Sequence, residues 1–223
     1  MIMDVITPKQ ELTETLTGLK SKPNLQELLN GIKAQGRIDR LLVILLDRSG
    51  SMSSAIDTVS KIDTAWQLFK TQLMSNMAGW DYGIILFGDD AYWSILPCNN
   101  TSILVKMDTP MAMGMTTMGK ALNIAWGYVR QNVKQARFIM LTDGMPNDMS
   151  KGQILDMAKE NKSIPIDTVG IGKGVSDYDP MFLAELSSIT GGVFVEAKTA
   201  KLLADTIKRL SPMERPLLGP VKE

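Results

Sequence analysis

The chain has 223 residues, 44% of them apolar and 22% charged, and its formal net charge is zero. That is enough chain for one full hydrophobic core plus an appendage, and the charge balance gives no electrostatic basis for holding nucleic acid or an anionic membrane. There is no histidine and a single cysteine, Cys98, which excludes His-based metal sites, Ser-His-Asp triads, histidine acid–base catalysis and an internal disulfide.

Residues 1–40 read as two short amphipathic helices. Leu12, Leu16 and Leu19 fall at helical spacing, and after Pro23-Asn24 so do Leu25, Leu28, Leu29 and Ile32, with Gly36 as a stop. Their apolar faces either cover an edge of the core or dock a partner. No apolar run approaches the roughly 18–20 residues that span a bilayer, and residues 1–10 lack an apolar signal core. The expected location is therefore the cytoplasm, where a lone thiol stays reduced.

From Leu41 strands and helices alternate, the pattern of an α/β fold. Leu41 to Leu46 is the first strand, apolar throughout and so buried on both faces. A long helix is expected over 56–77, with Val59, Ile62, Ala65, Trp66, Phe69 and Leu73 inward. Strands at 82–87 and 91–96 flank the turn Gly88-Asp89-Asp90 as a hairpin, which supplies an antiparallel edge. A helix over 118–131 leads to the strand 137–141, and a helix over 151–161 to the strand 164–169. A helix at 179–188, a strand at 193–195 and a helix at 199–210 complete the domain, 41–211; residues 212–223, with Pro212, Pro216 and Pro220, form an extended tail. The expected architecture is a doubly wound, Rossmann-like sheet of six strands, mostly parallel, with one antiparallel edge strand. In such sheets ligands bind beyond the carboxyl ends of the strands.

Three oxygen-bearing loops fall at that edge. Asp47-Arg48-Ser49-Gly50-Ser51 follows the first strand, Gly114-Met115-Thr116-Thr117 precedes the helix at 118, and Thr142-Asp143-Gly144 follows the strand 137–141. Taken singly, Ser49, Ser51, Thr116 and Thr117 read as helix caps and Asp143 as a turn carboxylate. Taken as a set they offer oxygen ligands to a hard cation, and hydroxyls neutralise little of its charge, so the ion retains affinity for an incoming anion.

These residues resemble a von Willebrand factor type A domain with a metal ion-dependent adhesion site, over about Leu41 to Leu210. The Asp-x-Ser-x-Ser signature is intact at Asp47, Ser49 and Ser51, the loop threonine is matched by Thr116, and Thr-Asp-Gly by Thr142-Asp143-Gly144. Gly119-Lys120-Ala121-Leu122, Val169-Gly170-Ile171-Gly172 and Thr190-Gly191-Gly192 continue the likeness. The resemblance implies that Ser49 and Ser51 bind Mg²⁺ (or Mn²⁺ or Ca²⁺) directly. Thr116 joins them in a ligand-engaged form, and Asp47 and Asp143 act through water or hydrogen bonds. One position departs from the family pattern: Met115 stands where glycine is common, and a positive φ there would strain methionine by roughly a kcal/mol or more.

The expected function is a non-enzymatic module, bacterial or phage in style, that grips an Asp or Glu carboxylate of a protein partner through the bound ion. Family analogy suggests an ATPase or a stress-response complex as that partner, and neither nucleic acid nor membrane. No Gly-x-x-x-x-Gly-Lys-Ser/Thr loop is present. Two other readings stand beside this one. One is a Mg²⁺-dependent phosphatase or phosphotransferase with Asp47 as nucleophile, although the position for a second Asp is Ser49. The other is a scaffold with a degenerate site, for which Met115 is the best support. Met107, Met111, Met113, Met115 and Met118 cluster around the threonine loop as a candidate apolar contact surface. Trp80, Trp93 and Trp126 read as packing residues.

Overall fold

The computed structural model describes residues 37–73 and 77–211. The amphipathic helices expected before residue 40 and the tail after 211 lie outside the described residues. The chain divides into units Met1–Arg37 and Ile38–Glu223, and the second is described here by itself.

Strand β1, Ile38–Asp47, is the centre of the sheet. Its apolar run divides between two cores. Leu42, Ile44 and Leu46 face one side, and Leu41, Val43 and Leu45 the other, as period-two side chains of a doubly covered strand must. The other strands are β4 (Asp81–Phe87), β5 (Ala91–Cys98), β6 (Val133–Thr142), β7 (Ile166–Ile171) and β8 (Phe194–Ala197), in the order β5-β4-β1-β6-β7-β8. Only β5 runs antiparallel. The expected fold class is found: a six-stranded, mostly parallel sheet with one antiparallel edge.

Helices cover both faces. On one lie α1 (Lys61–Leu68, continued by a π turn at Phe69–Leu73) and α6 (Ala200–Leu210), which contribute Ile62, Ala65, Trp66 and Phe69, and Leu203, Ile207 and Leu210. On the other lie α3 (Met118–Asn132), α4 (Lys151–Glu160) and α5 (Pro180–Thr190). A short helix, α2, spans Ser102–Lys106. Several ends are chemically marked. Ser150 and Gln153 form a reciprocal capping box at α4, Asp179 caps α5 ahead of Pro180, and Thr199 caps α6. Trp80 and Trp126 are buried, and Trp93 packs edge-on against Tyr128 with ring centroids 5.3 Å apart.

The helix expected from residue 56 starts later. Residues 54–60 instead form a small antiparallel ribbon, β2 (Ala55–Ile56) with β3 (Val59–Ser60). Asp57 turns it with φ 59°, a conformation that Asp tolerates better than most residues. Ser60 then caps α1, its hydroxyl accepting from the Asp63 amide at 3.1 Å. Val59, expected inside, is 49% exposed. The apolar spacing of 56–59 imitated a helix turn that the Asp57 turn and the Ser60 cap forbid. One result matters for the site: Lys61 becomes the first residue of α1.

Candidate metal centre

The connection after β1 runs to β4 on one side of it, and the connection after β6 runs to β7 on the other. The switch point, and hence the crevice, therefore lies between the carboxyl ends of β1 and β6. Asp47 ends β1 and Thr142 ends β6, so Asp47 and Asp143 flank this crevice by topology.

Asp47 is fully buried and both of its oxygens are engaged. Oδ1 accepts from the Ser49 amide at 2.7 Å, and Oδ2 accepts from the Thr142 hydroxyl at 2.5 Å. The first bond folds the loop tightly, so that Ser49 and Ser51 project on one side, with their hydroxyl oxygens 3.1 Å apart. Ser51 Oγ donates to Asp143 Oδ1 at 2.6 Å. The other oxygen of Asp143 accepts from the ammonium of Lys61 at 2.7 Å, a pair buried on both sides.

The threonine loop is stitched to its neighbours by backbone bonds. The Gly50 amide donates to the Gly114 carbonyl at 3.0 Å, and the Met113 amide to the Arg48 carbonyl at 2.6 Å. The Thr116 amide donates to Asn147 Oδ1 at 2.9 Å, and the Asn147 amide returns a bond to the Thr116 carbonyl at 3.0 Å. This places the buried Thr116 hydroxyl so close to Gly144 that a Cβ at Gly144 would stand 2.8 Å from it. All five expected residues, Asp47, Ser49, Ser51, Thr116 and Asp143, thus converge on one crevice.

Met115 does not strain the loop. The positive φ, 82°, falls on Gly114, and Asp57 is the only non-glycine residue with positive φ among the described residues. The Asp89 carboxylate fills the space where a Gly114 side chain would sit, and its Oδ1 accepts from the Met115 amide at 3.0 Å. Support for a degenerate site drawn from Met115 is therefore removed.

Ser49 does not cap a helix with its side chain. Ser49 does precede a short 3₁₀ turn, Gly50–Ser53, but its side chain makes no capping bond. Thr117, at the start of α3, makes none either, whereas Ser60, Ser150, Asp179 and Thr199 all cap their helices. In this chain real caps bond the backbone, and Ser49 turns its oxygen into the crevice.

Among the described residues no group of three or more His, Cys, Asp or Glu side chains could hold a metal. A centre here would rest on hydroxyls with two carboxylates behind them. The donors fit a hard cation: all are oxygens, and the 3.1 Å between the serine hydroxyls matches the edge of about 3 Å in an octahedron of oxygens about 2.1 Å from Mg²⁺. Burial pushes the Asp47 carboxyl up to about 7, and the charge of Asp143 adds to the rise, against hydrogen bonds from Thr142 and Ser49 that lower it.

The roles of Thr142, Lys61, Asn147 and Asp89 were not legible from motif spacing. Thr142 lies inside a recognised motif, but nothing in a linear pattern shows its hydroxyl reaching Asp47. Lys61 follows from the late helix start, which Ser60 as a cap signals.

The fold and the crevice define a Rossmann-like α/β domain with an oxygen-lined site at its switch point. Residues 42–145 match the family model of the von Willebrand factor type A domain. Solved structures with the same fold include the conserved hypothetical protein BatB from Bacteroides thetaiotaomicron (19% identity, TM-score 0.60, 76% of this chain and 95% of that one). An aerotolerance-related membrane protein from Bacteroides fragilis matches at 18% identity and TM-score 0.60, over 76% of this chain and 96% of that one. The ArnB paralog VWA2 from Sulfolobus acidocaldarius matches at 20% identity and TM-score 0.62, over 78% of this chain but only 45% of its own. The comparison with curated proteins gives no match.

Proposed function

We propose that this chain is a von Willebrand factor type A domain protein that works as a binding module and not as an enzyme. In this reading Ser49 and Ser51 hold a Mg²⁺-type ion directly, Thr116 joins them when a ligand engages, and Asp47 and Asp143 orient the hydroxyls from behind. With its carboxylates held back the ion stays electrophilic, and an Asp or Glu side chain of a protein partner completes its shell. The observation that carries this reading is the serine pair, 3.1 Å apart with Ser51 donating to Asp143. The engagement of both Asp47 oxygens, by the Ser49 amide and the Thr142 hydroxyl, weighs against Asp47 as a phosphatase nucleophile, which needs a free oxygen aimed at phosphorus.

The partner's acidic residue would carry apolar neighbours. Met111, Met113 and Met115 on the threonine loop, and Met145 two residues past Asp143, are 75%, 46%, 57% and 42% exposed. Met107 and Met118 turn inward. An ATPase or a stress-response complex remains the partner class that family analogy suggests. The cytoplasm is the location we propose, on the strength of the unpaired, half-buried Cys98. Among the described residues no helix is long and apolar enough to cross a membrane.

The test is calorimetric titration of the protein with Mg²⁺ and Mn²⁺, beside partner capture with and without chelator. Wild type is expected to bind at millimolar ion or below and to melt higher when loaded. Ser49→Ala should lose at least tenfold in ion affinity and the chelator-sensitive capture. The double variant Met113→Gln/Met115→Gln should keep ion affinity while weakening capture. No heat of binding and no shift in melting at millimolar ion would sink the reading.

A further inference from the structure

Lys61 is the least expected group at the site. It is buried, its ammonium lies 2.7 Å from Asp143 Oδ2, and it lies 3.8 Å from Asp177 Oδ2 in the loop after β7. A buried ammonium is costly unless opposed by charge, and here the opposing charge is a carboxylate of the metal centre itself. The two oxygens of Asp143 are thereby divided: Oδ1 takes the Ser51 hydroxyl and Oδ2 takes Lys61. Lys61 is held in this place by the Ser60 cap at the start of α1 and by its own amide, which donates to the Ser54 carbonyl at 2.9 Å. The other flank of its side chain lines a cleft of about 490 Å³, with Asp57, Lys173, Asp177 and Lys198 among the walls.

We infer that Lys61 is a positioning residue that weakens the site's hold on its own metal and thereby strengthens the bound metal's hold on a partner carboxylate. The inference rests on the reading of the crevice as a metal centre. The physical reason is charge accounting at short range. Asp143 neutralised by Lys61 contributes less negative potential at the serine hydroxyls, so a divalent cation enters less readily. The ion pair also anchors Asp143, which cannot swing in to ligate the ion without breaking its 2.7 Å bond to Lys61 and leaving that buried ammonium with only the more distant Asp177, at 3.8 Å. The ion is then left short of anionic ligands, and a carboxylate from outside meets the deficit. Metal and partner binding become strongly coupled, each raising the affinity of the site for the other.

The experiment titrates Mn²⁺ into wild type, Lys61→Met, Lys61→Gln and Lys61→Arg by calorimetry, with and without excess sodium acetate as the carboxylate probe. Circular dichroism melts of each variant are recorded alongside. Lys61→Gln keeps a hydrogen-bond donor near Asp143 and serves if Lys61→Met melts too low to titrate. Both neutral variants are expected to bind Mn²⁺ roughly tenfold or more tightly than wild type. They should lose most of the enhancement that acetate gives to wild type, while Lys61→Arg keeps both wild-type values. A merely structural role would lower melting temperature in the neutral variants without tightening Mn²⁺ or uncoupling acetate. If wild type binds Mn²⁺ and Lys61→Gln binds it equally or more weakly, the inference is overturned and the metal centre stands. If neither wild type nor any variant binds Mn²⁺, the metal centre itself fails.

Discussion

Mg²⁺ affinity is expected to rise about a hundredfold between pH 5 and pH 8 and to level off above that. The cause is Asp47, whose carboxyl burial pushes up to about 7, so that in the free protein it holds a proton which the cation must displace. Below that value one proton leaves per ion bound, and affinity changes tenfold per pH unit. The sign for stability runs the other way. Unfolded, this carboxyl has its ordinary value of 3.8; folded, it binds its proton more tightly. Its contribution to stability is therefore fully present below pH 3.8 and is lost as pH rises through 7, a loss on the order of 4 kcal/mol for a shift of this size. Without ion, melting should fall from pH 5 to pH 8 more in wild type than in Asp47→Asn, and saturating Mg²⁺ should remove that difference. Calorimetry in buffers of different ionisation enthalpy counts the proton directly: one released at pH 5, none at pH 9. A wild-type affinity flat across this range would mean that Asp47 is already ionised at pH 5 or lies outside the ion's field.

Most of the sheet is legible in the sequence, because a doubly covered parallel strand leaves a plain signature. Leu41 to Leu46 and Phe138 to Leu141 are uninterrupted apolar runs, and all ten of these residues sit buried in the two cores. The convergence of Ser49, Thr116 and Asp143 was legible for a related reason: parallel strands must place their carboxyl-terminal loops on one edge. What was hidden depended on local turn chemistry and on side-chain reach. Val59 has an apolar side chain at helical spacing, yet Asp57 and Ser60 decide its backbone, and it faces solvent. Lys61 as a partner for Asp143 joins positions 82 residues apart, a pairing no periodicity encodes. Met115 misled in the other direction, because the positive φ needed by its loop was already supplied by Gly114. Motif order brought these residues to one sheet edge; the hydrogen bonds among them required the fold.

Truncating Asp167 to alanine is expected to cost about 3–5 kcal/mol of stability while leaving Mg²⁺ affinity unchanged. Asp167, on β7, is fully buried and its Oδ2 accepts from Arg137 Nε at 2.5 Å, while its Oδ1 accepts from the Val193 amide at 2.9 Å. Removal leaves a buried guanidinium facing the space that Asp167 vacated, and a backbone donor without its acceptor. In a domain of this size the melting temperature should fall by roughly 10 °C. The double variant Arg137→Met/Asp167→Leu should recover most of the loss, since a well-packed apolar pair often replaces a buried ion pair at little cost. It should not recover all of it, because the Val193 amide stays unsatisfied, a deficit of about 1–3 kcal/mol. The site should not notice either change. Asp167 pairs in register with Ile139, three residues short of Thr142, or roughly 10 Å along the strand from the crevice. Thermal melts and Mn²⁺ titrations on the same samples separate the two effects. A drop in ion affinity that tracks the drop in stability would mean that the crevice is held by the whole sheet and not by the local bonds among Asp47, Thr142, Ser51 and Asp143, because the ion pair at Asp167 touches none of them.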